Sequence, residues 1–177
     1  MLRPADGLET AAAWGLALER RDGPSLIALS RQNVPALVRP EGFKVADLRR
    51  GAYVLRDSDA EQAITLIATG SEVAVALDAA EQLATVGLPA RVVSMMSPQT
   101  FLQQDAAWRA RVLPPQGRRV SVEAGVTGGW GALLGGRGLA IGIDTFGESA
   151  PAETLAEHFG LTGEAVARRI RDWAQDA

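Results

Sequence analysis

Four short apolar runs, separated by stretches that mostly have helical period, constrain this chain more than any other feature. They are Ala63-Ile64-Thr65-Leu66-Ile67-Ala68, Ala90-Arg91-Val92-Val93-Ser94-Met95, Arg119-Val120-Ser121-Val122-Glu123-Ala124 and Leu139-Ala140-Ile141-Gly142-Ile143. Each is rich in apolar or β-branched residues, the pattern of a strand buried within a sheet. Between the first two, Thr69-Gly70-Ser71-Glu72 turns the chain into a helix. There Val73, Leu77, Ala80 and Ala84 recur at helical spacing until Gly87 stops it. Pro98 opens a helical stretch carrying Phe101, Leu102 and Trp108, which ends before Pro114-Pro115. Pro151 opens another, with Leu155 and Phe159 one turn apart and Gly160 closing it. Thr162 caps a last helix whose apolar stripe is Val166, Ile170 and Trp173. Strands alternating with helices predict right-handed βαβ units: an α/β fold with a mainly parallel sheet covered by helices on both faces.

The stretch before residue 63 reads differently. Asp6-Gly7-Leu8-Glu9 has the form of a capping box, in which Asp6 accepts from a free amide and Glu9 reaches back. The helix it starts puts Ala11, Trp14 and Leu18 on one face, and Asp22-Gly23-Pro24 ends it. Ser25-Leu26-Ile27-Ala28-Leu29 follows as a buried-type strand. One helix and one strand are too little to close a domain, so this αβ unit reads as the remnant of a second domain. Residues 34–62 read as a connection containing Pro35, Pro40 and Gly42, with Gly51-Ala52-Tyr53-Val54-Leu55 as a short strand inside it.

Composition narrows the function classes. A net charge of −3 gives no footprint for nucleic acid or an anionic membrane. The absence of cysteine excludes disulfides and thiolate metal sites. No apolar run approaches the ~20 residues that span a bilayer, and the first residues lack the pattern of a signal peptide. The expectation is a soluble, cytoplasmic protein. The single histidine, His158, falls at a helix end, where the dipole favours it and acid–base chemistry does not need it.

Candidate binding residues cluster at predicted strand ends, where open α/β sheets bind ligands. Ser30-Arg31-Gln32-Asn33 leaves the strand of residues 25–29. The Arg31 guanidinium is a planar fork suited to phosphate or carboxylate, or else a solvated or structurally paired charge. Gly70-Ser71 opens a helix and offers free amides to an anion, or simply caps the turn with Ser71. Glu123, Asp144 and Glu148 could gather round a cation, or bond to turn amides. Arg49-Arg50 could grip an anion or stand solvated. The glycine-rich stretch from Gly125 to Gly138, with Trp130, suits a flexible loop, a dimer contact or a ligand surface.

Taken in order, several of these pieces resemble transketolase. They are Arg3-Pro4-Ala5-Asp6 with Glu9 and Ala13-Trp14, Ser30-Arg31-Gln32-Asn33, Gly51-Ala52-Tyr53-Val54-Leu55 and Ile67-Ala68-Thr69-Gly70-Ser71-Glu72-Val73. Arg91-Val92-Val93-Ser94-Met95, Val112-Leu113-Pro114, Val122-Glu123-Ala124-Gly125 and Phe146-Gly147-Glu148-Ser149-Ala150-Pro151-Ala152 continue the series. Met96, where the family usually has proline, and residues 131–134, which lack the family's aromatic and basic character, depart from it.

The resemblance implies a C-terminal portion of such an enzyme. Residues 1–40 would be the end of its pyrimidine-binding domain, 41–62 a linker, and 63–177 its C-terminal domain. The family transfers a two-carbon ketol unit between sugar phosphates, as a homodimer, using thiamine diphosphate and Mg2+. The family's Gly-Asp-Gly motif, cofactor-activating glutamate and active-site histidines are absent here. The expectation is therefore no cofactor or metal bound by this chain alone, and no catalysis by it alone. Arg31 is the one functional residue carried over, as a contact to the substrate phosphate. The resemblance is equally compatible with the pentose phosphate pathway and with carbon fixation. The alternative expectation is a stand-alone docking domain that completes a partner subunit.

Overall fold

The computed structural model describes residues 1–60 and 62–176. Five strands form one sheet in the order β1-β3-β2-β4-β5, with β1 at Tyr53–Arg56, β2 at Ile64–Ala68, β3 at Ala90–Ser94, β4 at Arg119–Val122 and β5 at Leu139–Ile141. β2 runs parallel to both β3 and β4, and β5 parallel to β4. Only β1 is antiparallel, pairing with β3 through Tyr53 opposite Ser94. The four apolar runs thus become the four parallel strands. β2 is wholly buried, as a continuous apolar run between two neighbours requires.

Helices complete the layers. α1 spans Gly7–Glu19, α2 Glu72–Thr85, α3 Pro98–Leu102, α4 Ala106–Val112, α5 Gly131–Leu134, α6 Ala152–His158 and α7 Gly163–Asp176. α2 packs on β2 and β3 and against α7. Val73, Ala76 and Leu83 of α2, with Val166 and Ile170 of α7, join Leu66, Val92 and Val120 in the main core. Each fully buried Leu, Ile or Val of that set contributes roughly 1.5–3 kcal/mol over its exposed state. The expected single helix after Pro98 is two, because Ser97 and Asp105 each cap a new start by accepting from the amides of Thr100 and Trp108. Ser71 does not cap α2 with its side chain. Its backbone is already helical, and its hydroxyl donates instead to Glu72 Oε1 at 2.7 Å. The glycine-rich stretch is not wholly loop: a 3-10 turn at Thr127–Gly129 leads into α5.

The expected strand at residues 25–29 does not form. It is reduced to one parallel bridge, Leu2 to Ile27. A strand needs a ladder of partners, and among the described residues the backbone of this segment pairs only with Leu2, leaving Leu26 and Leu29 exposed. α1 is present and its capping box is real in part: Asp6 accepts from the Glu9 amide, but Glu9 reaches past Asp6 to the Ala5 amide. Trp14 and Leu18 do share a face, and it points outward. The inward face carries Glu9 and Ala13. The stretch of residues 34–62 is not only a connection, because its Leu37, Leu48 and Ala52 enter the main core and its short strand is β1 of the sheet.

Candidate functional site

The strand order places the crossover point between β2 and β4, since β2 leads to β3 on one side and the chain returns to β4 on the other. A cavity of about 420 Å3 opens at the carboxyl ends of these strands, lined in part by Arg3, Ala28, Thr69, Gln99, Glu123 and Trp130. Thr69 follows β2 directly, and Glu123 follows β4.

Arg3 enters from outside the sheet and ties these ends together. Its Nη1 donates to Thr69 Oγ1 at 2.7 Å and to Glu123 Oε1 at 2.8 Å, and its Nη2 donates to Glu72 Oε2 at 2.9 Å. Thr69 Oγ1 donates to Glu123 Oε1 at 2.9 Å, and Trp130 Nε1 donates to Glu123 Oε2 at 3.0 Å. Glu72 also accepts from the Ala124 amide at 3.0 Å. Burial disfavours the Arg3 charge, yet the Glu72 and Glu123 carboxylates outweigh it and hold the guanidinium above its ordinary pKa. One cation and two carboxylates thus form a satisfied knot of net negative formal charge, of which Arg3 and Glu123 line the cavity.

A second knot lies beneath α1. Glu9 is fully buried and accepts from the Ala5 amide, the Tyr53 hydroxyl and the Ser94 hydroxyl at 2.8, 2.9 and 2.7 Å. Asp6 caps α1, accepts from the Leu37 amide and forms a two-pronged pair with Arg39. Burial pushes the Glu9 carboxyl up. Burial opposes the Asp6 charge too, but Arg39 and the amides of Glu9 and Leu37 bring its carboxyl below the ordinary range.

Arg31 sits outside both knots. It is exposed, three residues past the cavity-lining Ala28, with no hydrogen bond or ion pair to any described residue. The other expected anion and metal candidates are accounted for internally. Arg49 pairs with Glu19, while Arg50 lies 3.7 Å from Asp105 and stacks 4.3 Å over the Trp108 ring. Glu123 belongs to the Arg3 knot, Asp144 accepts from the amide and hydroxyl of Thr127, and Glu148 is exposed, so these three do not converge. Among the described residues no group of three or more metal-ligating side chains converges. Gly70 has a left-handed backbone and gives its amide to the Arg3 carbonyl, so it is not a free anion donor. His158 is the last residue of α6. Sequence reasoning missed Arg3, Thr69, Glu72 and Trp130 as a group, because no spacing rule links residues so far apart. No described helix is long and apolar enough to cross a membrane.

Comparison with known proteins gives four findings. Residues 51–162 match the family model described as the transketolase-like TK C-terminal domain. The plasmid-borne transketolase of Cupriavidus necator is 53% identical over 99% of this chain, which spans 26% of that relative. The crystal structure of a Pichia stipitis transketolase in complex with sedoheptulose 7-phosphate superposes with a TM-score of 0.86 at 38% identity, over 95% of this chain and 24% of that one. A split-gene transketolase, described as an inactive beta4 tetramer, gives a TM-score of 0.74 at 27% identity over 97% of this chain and 56% of its own. The chain therefore spans about a quarter of the length of the whole transketolases it matches.

Proposed function

The chain belongs to the transketolase family, and on that footing we propose that it serves as the C-terminal portion of an enzyme moving a two-carbon ketol unit between sugar phosphates. The observation that carries this reading is the likeness over nearly the whole chain to transketolases, one of them solved with a sugar phosphate. In the complete enzyme, a cytoplasmic homodimer, Arg31 holds the substrate phosphate. Its support is chemical: a fork of donors, exposed three residues past the cavity-lining Ala28 and unspent on any described side chain. Residues 1–40 finish the pyrimidine-binding domain, 41–62 link, and 63–177 form the C-terminal domain.

Thiamine diphosphate and Mg2+ supply the carbanion chemistry of this family. Among the described residues, the carboxylates that could take a cation do not fit Mg2+. The oxygens of Glu72 and Glu123 are taken up by Arg3, Ser71, Thr69, Ala124 and Trp130, and those of Asp144 by Thr127. We therefore assign the metal and its cofactor to the remaining parts of the enzyme, and expect no catalysis by this chain alone. Isothermal titration of the chain with thiamine diphosphate and Mg2+ is expected to give no binding heat; stoichiometric binding would overturn that statement.

The main test is reconstitution. The remaining three quarters of the Cupriavidus necator enzyme, fused to this chain, should yield an active ketol transferase. A folded but inactive fusion would sink the reading. In the active fusion, Arg31→Ala should raise KM for phosphorylated sugars by about 10–100-fold, the worth of one lost charge-assisted bond at ~1.5–3 kcal/mol. An unchanged KM removes Arg31 from the site. A second reading is favoured by the likeness to the split-gene chain: the chain docks as a separate subunit. Mixing it with the separately made remainder should then restore activity without fusion.

A further inference from the structure

Arg31 makes no hydrogen bond or ion pair to any described residue, so its place is set by the backbone on either side of it. Beyond Arg31 the backbone is held where Leu37 donates its amide to Asp6; before it, the backbone hangs from Leu2. Leu2 N–H donates to the Leu26 carbonyl at 2.8 Å, and Ala28 N–H donates to the Leu2 carbonyl at 2.9 Å. Ile27 packs beside Leu2, Ala13 and Met96. The next residue, Arg3, fixes this hook to the sheet on three sides. Its amide donates to the Met96 carbonyl after β3, its carbonyl accepts from the Gly70 amide after β2, and its guanidinium bridges Thr69, Glu72 and Glu123. From these contacts we infer that Arg3, with Thr69 and Glu123, is a positioning centre that sets Arg31 at the substrate phosphate and thereby tunes recognition of phosphorylated sugars.

This inference rests on the role given to Arg31. Arginine suits the position because its planar fork reaches several acceptors at once, at the ends of β2 and β4. A lysine keeps the charge but, as a single point, cannot span them in one fixed geometry. Loss of the fork frees the hook to shift, and a shift of an ångström weakens a directional bond to phosphate several residues away.

The test uses the active fusion and two ketol donors, one phosphorylated and one not. Arg3→Gln should raise KM for the phosphorylated donor by about 5–20-fold with kcat held within about twofold, and leave KM for the unphosphorylated donor unchanged. Arg3→Lys should fall between it and the parent. Thr69→Ala, which removes one acceptor and leaves the charges in place, should show the same pattern in milder form and serves if Arg3→Gln does not fold. An equal KM rise for both donors, or a fall in kcat with KM unmoved, would overturn the inference, because a general loss of structure does not discriminate phosphate. Arg31→Ala separates the two failures. If it raises KM while the Arg3 and Thr69 variants do not, the positioning centre is wrong and the phosphate contact stands. If Arg31→Ala itself changes nothing, the phosphate contact falls, and this inference with it.

Discussion

The two carboxylates that open α1 respond to acid in opposite directions. Asp6 titrates below its ordinary 3.8 when folded, so the stability it contributes is present above that value and is lost as pH falls through the lowered one. Glu9 titrates above its ordinary 4.5 when folded, so its contribution is full below 4.5 and fades as pH rises through the raised value. Thermal melts of the parent between pH 3 and 7 should therefore show stability rising as pH falls toward 4.5 and dropping below 3.8. Glu9→Gln should erase the first limb, and Asp6→Asn should weaken the second, to which Asp22 and Asp144 also contribute. Glu9→Ala strands the Ala5 amide and the Tyr53 and Ser94 hydroxyls, and should cost about 3–5 kcal/mol by chemical denaturation. At this scale the sequence was informative only locally. The Asp6/Glu9 spacing announced a helix start, but the hydroxyls that satisfy Glu9 come from residues 44 and 85 positions away, which no spacing rule could supply.

Elements were legible where a short window contains the whole physical cause. The runs that became β2, β3, β4 and β5 carry their burial in composition, and α2 and α7 carry theirs in period. The segment at residues 25–29 had the same composition and failed, because pairing depends on a neighbour rather than on the run itself. The stripe of Trp14 and Leu18 was read correctly as one face, but periodicity cannot say whether that face looks inward. Gly51 shows how one position can couple elements. It has a left-handed backbone between the 3-10 turn Val45–Arg50 and β1. A Cβ there would meet the Ser97 carbonyl at 2.5 Å and the Phe101 amide at 2.6 Å, at the start of α3. Gly51→Ala should therefore cost more than a left-handed strain alone, about 2–4 kcal/mol, read as a lowered Tm with native secondary structure retained. A loss under about 0.5 kcal/mol would mean that α3 can move aside at no cost.

For the molecule as a whole, apolar exposure is uneven. Met1, Leu8, Trp14, Leu18, Leu26 and Leu29 are all exposed within the first 29 residues, with Trp14 at 54% and Leu18 at 74%. A soluble monomer rarely shows so much apolar surface on one stretch. The isolated chain should self-associate at micromolar concentration, and Trp14→Ser with Leu18→Ser should shift it toward monomer in sedimentation velocity runs. A parent chain that stays monomeric throughout would show that this surface is tolerated in water.

The Arg3 knot also fixes an order of events during synthesis. Its acceptors Glu72 and Glu123 lie 69 and 120 residues downstream. Arg3 therefore leaves the ribosome before either carboxylate exists, and the hook it carries is not held on every side until β4 has been made and Glu123 has followed it. Residues 1–29 are thus translated ahead of the sheet they dock on, and the interval between the emergence of Arg3 and that of Glu123 is the one in which a chaperone has most of this stretch to shield.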